Sequence, residues 1–98
     1  MKSRIPRHLS KEARGIWRTI ENEWELDGHS KIILLVALEA FDEFRAAQAE
    51  LKKDGMTFKT PTNQLKKHPA LEVLKVARGQ FLHSWKMLNL GIEPPKEI

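Results

Sequence analysis

The sequence predicts an all-α fold: one three-helix domain in which helices 2 and 3 form a long antiparallel hairpin. Three observations predict it. Residues 31–53, KIILLVALEAFDEFRAAQAELKK, contain no Gly or Pro and are rich in strong helix formers. Two further segments, following Ser10 and Pro69, repeat apolar residues at helical spacing. Turn formers separate the three: Asp27-Gly28, then Gly55 and Pro61, with Gly91 and Pro94-Pro95 beyond the last.

The first helix is expected from Lys11 to about Leu26, capped by Ser10 and with Glu12 in its first turn. Ala13, Ile16, Trp17, Ile20 and Trp24 share one face, so the two Trp residues read as core in preference to a base-stacking platform. Gly15 costs this helix about 1 kcal/mol against Ala and is a place where close packing could occur. Gly28 is expected to end the first helix in a left-handed cap, and Ser30 to cap the second.

The second helix organises the chain. At about 1.5 Å per residue it spans roughly 35 Å. Its first half, Ile32–Leu38, is apolar on every side and needs cover on more than one face. Its second half narrows to a stripe of Ala40, Phe41, Phe44, Ala47 and Leu51. One partner is expected from within the chain and another from a second copy. The residues expected at that interface between copies are Ile32, Ile33, Leu34, Leu35, Leu38 and Phe41, with Phe81 and Trp85 from the third helix. Residues 56–67 read as a polar, irregular loop in which Met56–Lys59 could be a short strand. Pro69 then opens the third helix, which runs to about Asn89 and is closed by Gly91. The domain is expected over residues 10–93, between a basic flexible arm (1–9) and a short tail (94–98).

Charge is uneven along the chain. Residues 1–18 hold six Lys/Arg against one acid, residues 19–58 four against nine, and residues 59–98 seven against three. Basic ends around an acidic middle fit an anionic partner or head-to-tail contact between copies; a plainly solvated surface is the other reading. On charge placement alone, the candidate DNA contacts are Lys2, Arg4 and Arg7 on the arm, Lys11, Arg14 and Arg18 on the first helix, and Lys59, Lys66 and Lys67 in the loop.

Several chemistries find no support. With no cysteine, there is no disulfide, zinc-thiolate site or thiol nucleophile. The four His residues are scattered, no phosphate-binding glycine loop occurs, and Glu39, Asp42 and Glu43 read as an acidic outer face. No enzyme, metal or cofactor is expected. The apolar run at Ile32–Leu38 is far short of the ~20 residues a membrane span needs, and the basic start has no apolar stretch behind it to make a secretory signal.

Three stretches, LSKEARGIWRTI from Leu9, LLVALEAFDEFRAAQAELKKDGMTF from Leu34 and HPALEVLKVARGQFLHSWKMLNLGIEP from His68, resemble in order and spacing the small subunit of tailed-phage terminases. The resemblance covers about residues 9–94. The family pattern often has Lys-Pro before His-Pro; Lys66-Lys67 stand there in this chain and make the loop more basic. The resemblance implies a non-enzymatic, all-helical protein of the host-cell cytoplasm that assembles as a homo-oligomeric ring. It also implies binding of packaging-site double-stranded viral DNA and its delivery to the terminase large subunit, an ATPase and nuclease. A helical protein–protein adaptor without DNA binding is the alternative that the residues alone allow.

Overall fold

The computed structural model describes residues 4–90. It contains three helices, α1 (Lys11–Glu23), α2 (Gly28–Asp54) and α3 (Pro69–Leu88), and two short strands, β1 (Thr57–Lys59) and β2 (Leu65–Lys67), between α2 and α3. The expected all-α architecture holds, with α2 and α3 packed as an antiparallel hairpin. The molecule is elongated, 58 × 24 × 20 Å.

Each helix boundary has a local cause. The Ser10 side chain accepts the Ala13 N–H and starts α1. That helix stops at Glu23, three residues before the expected end, where Trp24 turns extended. Gly28 does not cap α1; it is the first residue of α2. Asp27 performs the cap expected of Ser30, accepting the Ser30 N–H at 2.7 Å. That backbone bond, helped by the Ser30 side chain, holds the Asp27 carboxyl below its ordinary pKa. At the far end Gly55, at φ 82°, takes the left-handed turn that a side chain would resist, and its N–H closes on the Leu51 carbonyl. His68 caps α3, Pro69 fills its first turn, and Asn89 ends it in a left-handed conformation at φ 52°. Gly91, the expected terminator, lies outside the described residues, as do Met1–Ser3 and the tail 94–98. A side-chain carbon added at Gly15 would meet nothing within 4 Å, so this glycine does not serve close packing.

The core lies where the three helices meet. Ala13, Trp17 and Ile20 come from α1; Leu34, Ala37, Leu38 and Phe41 from α2; Phe81, Trp85 and Leu88 from α3. Aromatic rings form its spine, with Phe41 5.6 Å from Phe81 and Phe81 5.4 Å from Trp85, both pairs tilted. Toward the other end the two long helices approach over Phe44, Ala47, Ala70 and Ala77. Small residues there let the backbones come close.

This packing corrects the sequence reading of α2. The apolar N-terminal half does need two partners, but the chain supplies both, α1 on one side and α3 on the other. Leu34, Leu38, Phe41 and Phe81 are fully buried and Trp85 nearly so. Five of the eight residues expected between copies therefore serve the protomer's own core. Ile33 and Leu35 are half-buried against that core, and only Ile32 of the eight is largely exposed.

The polar stretch 56–67 is also more ordered than its composition implied. The strands pair antiparallel, Thr57 opposite Lys67, Phe58 opposite Lys66 and Lys59 opposite Leu65. They form a two-stranded ribbon at the α2–α3 junction.

Replacing Phe81, which links the aromatic spine of α3 to α2, should cost about 3–5 kcal/mol as Phe81→Ala. Urea denaturation followed by far-UV circular dichroism should show a correspondingly lower midpoint.

Candidate nucleic-acid interface

The cationic candidates fall into two groups that one protomer does not bring together. Lys11, Arg14 and Arg18, spaced i, i+3, i+7, lie on one strip of α1 away from its buried face. Arg4 and Arg7 precede them and are exposed. Lys59, Lys66 and Lys67 lie on the ribbon, all exposed. The start of α1 is fastened to α2 near Asp42, and the ribbon begins beyond Asp54, roughly 18 Å farther along the helix axis. Lys2 lies outside the described residues.

None of the eight described cations forms an ion pair among the described residues. Ion pairs that do form include Lys31–Glu21 and Arg45–Glu12, and the His8 and His68 rings hydrogen-bond to Glu39 and Asp54. Contacts within the chain thus take up Glu12, Glu21, Glu39 and Asp54 and leave the described cations of the arm, α1 and the ribbon open to an external anion.

The segment expected as a flexible arm is docked over its described part. Leu9 is buried and Ile5 packs on the core. A row of α2 side chains one turn apart holds it. Glu39 takes the His8 ring at 2.8 Å. Asp42 accepts both the backbone N–H and the hydroxyl of Ser10. Arg45 donates to both oxygens of Glu12, at 3.1 and 3.2 Å, while its guanidinium sits 5.1 Å from the Phe41 ring centre. Sequence reasoning missed this clasp. It took Glu39 and Asp42 for solvated surface, because nothing local ties them to residues more than thirty positions earlier. The one available signal was the three-residue step of Glu39, Asp42 and Arg45, which lines one edge of the helix.

The clasp fixes the orientation of the cationic strip. Ser10 caps α1 and is itself held by Asp42, so the direction in which Lys11, Arg14 and Arg18 leave the body is set by α2. Among the described residues no group of three His, Cys, Asp or Glu side chains could hold a metal ion, and no helix is long and apolar enough to cross a membrane.

A three-helix body with a clasped basic helix and a long hairpin defines a helical scaffold that presents cations. The chain belongs to a known family: a family model described as phage terminase, small subunit, matches residues 11–94. This membership implies a role in phage DNA packaging, for a phage protein acting in the host cell. No curated protein and no solved structure matches the chain.

Asp42→Ala should release the clasp without touching the hairpin. The expected loss is about 1–2 kcal/mol, from two hydrogen bonds to a carboxylate in a partly exposed place. Hydrogen exchange should read faster amides at Ser10 and Ala13, with the Phe41–Phe81 region unchanged.

Proposed function

We propose that this protein is a non-enzymatic packaging subunit that assembles into a ring, binds packaging-site DNA and delivers it to the large ATPase/nuclease subunit. The observation that carries the reading is the unpaired cationic strip of α1, joined by Arg4 and Arg7, in a chain whose family packages phage DNA. Such a strip neutralises phosphates, and each contact releases condensed counterions on binding.

Ring assembly draws support from what the protomer leaves uncovered. On α2, Ile32 and Val36 are 62% and 48% exposed, and on α3 Val73, Val76 and Met87 are 48%, 50% and 56% exposed. These are separate faces of the hairpin. Glu39, Glu43 and Glu50 continue the α2 face, whereas Glu72, Lys75 and Lys86 lie around the α3 stripe. Two different apolar faces suit a heterologous contact, the kind that closes into a ring when the rotation allows. In this arrangement Ile32 makes the contact, Ile33 and Leu35 border it, and Leu34, Leu38, Phe41, Phe81 and Trp85 support it from the core.

The adaptor reading rests on the same exposed apolar residues, which could take a partner helix. It differs in predicting no salt-dependent affinity for DNA. Binding to a long duplex should weaken steeply with salt, and replacing Arg4, Arg7, Arg14 and Arg18 together by Ala should lower the log–log slope by up to about 3.6. Fluorescence anisotropy across a salt series checks this. Absence of binding at low salt would leave the adaptor.

A further inference from the structure

The ribbon between α2 and α3 carries features that phosphate binding alone does not require. From Gly55 to Leu71 the chain contains no acidic residue, and three lysines stand on the two strands. The base of the ribbon is fastened. The His68 N–H donates to the Met56 carbonyl at 2.8 Å, and the His68 ring bridges Asp54 at the end of α2 to the Ala70 N–H at the start of α3. Because Nδ1 accepts from Ala70, Nε2 carries the proton and donates to Asp54 at 3.0 Å. The ribbon is therefore a fixed extension of the helical hairpin.

Its tip is closed in the same way. The Thr60 N–H donates to the Gln64 carbonyl and the Asn63 N–H to the Thr60 carbonyl, each at 2.8 Å. The Thr60 hydroxyl accepts the Gln64 N–H and also meets the Thr62 hydroxyl at 2.9 Å. Asn63 turns the chain at φ 67°, in the left-handed region that Asn tolerates. The N–H groups of Thr60, Asn63 and Gln64 and both threonine hydroxyls are thus occupied. The side-chain amides of Asn63 and Gln64 are exposed and make no hydrogen bond among the described residues.

We propose that this ribbon enters the major groove of duplex DNA and reads base edges with Asn63 and Gln64. The reading rests on the assignment of this chain as a DNA-binding packaging subunit and adds which element carries sequence preference. A two-stranded ribbon fits a groove about 12 Å wide, and Asn and Gln amides match the donor–acceptor pair that adenine presents there. Lys59 on one strand and Lys66 and Lys67 on the other meet phosphates on the two walls. Leu65, 67% exposed and opposite Lys59, offers an apolar contact of the kind a thymine methyl takes. The basic strip of α1 then supplies affinity without sequence preference.

The experiment uses the full chain and duplexes enriched from a random pool by repeated binding to it, compared with scrambled versions. A double variant, Asn63→Gly with Gln64→Ala, removes both amides while keeping the left-handed turn accessible. Circular dichroism and melting confirm that it folds. It should lower the preference for the enriched over the scrambled duplex by about tenfold or more, with affinity for the scrambled duplex and its salt slope unchanged. Replacing Lys59, Lys66 and Lys67 by Ala should instead weaken both duplexes and lower the slope by about 2.7. An unchanged preference in the amide variant, or binding by the native chain that enriches no sequence, would overturn base reading while DNA binding stands. No binding to any duplex at low salt would overturn the underlying assignment.

Discussion

The fold depends on the contact between Phe41 of α2 and the Phe81–Trp85 pair of α3. α2 is apolar all round in its first half, and such a helix is unstable until every apolar side but a narrow one is covered. The aromatic spine covers one side and aligns the hairpin. Ala13, Trp17 and Ile20 of α1 join Leu34 and Leu38 in the same buried cluster, so α1 completes the cover of α2. Everything peripheral then follows from α2. The clasp at Glu39, Asp42 and Arg45 orients the basic helix, and Gly55 and His68 hold the ribbon at the opposite end.

Apolar material and charge are divided along the same line. Glu39 and Asp42 on α2 are used inside the chain, to hold His8 and Ser10, and Glu12 on α1 is used to receive Arg45. The described cations of the arm, α1 and the ribbon form no ion pair among the described residues. The protomer therefore presents positive charge at two places and moderate apolar stripes between them. One protomer keeps the two basic groups apart; a ring would repeat both around an axis and could place the α1 strip and the ribbons of many copies along one duplex. In that arrangement affinity grows with the number of phosphate contacts, whereas any base preference has to come from the few polar groups that reach the groove.

The three helices were legible because their signals are local. Gly- and Pro-free runs, apolar spacing, the cap at Ser10 and the helix start at Pro69 all act within a turn or two. The exposure of all three ribbon lysines followed from a polar stretch. What the sequence concealed is nonlocal. Nothing near Ile32–Leu38 says that Trp17 and Ile20 will cover it, so the surplus of apolar surface looked larger than it is, and five core residues were expected at a contact between copies. The clasp was hidden because an Asp that accepts from Ser10 across thirty-two positions looks the same in sequence as one in water. The ribbon was half-seen: its strands, TFK and LKK, are only three residues long and lack the alternation of a half-buried strand, and the pairing is fixed instead by the Thr60–Gln64 closure and the His68 anchor.

In the proposed assembly the protomer completes its own core and then joins other copies through two different faces. The most direct test is molar mass by light scattering behind size-exclusion chromatography, on the native chain, on Ile32→Glu, on Val76→Glu, and on the two variants mixed. Both sites are about half exposed or more, so each variant should fold. Assembly through two faces gives a discrete species of many copies for the native chain, smaller species for each variant, and a dimer when the variants are mixed, because one intact face remains on each. A native chain that stays monomeric at micromolar concentration, or variants that keep the native mass, would contradict it.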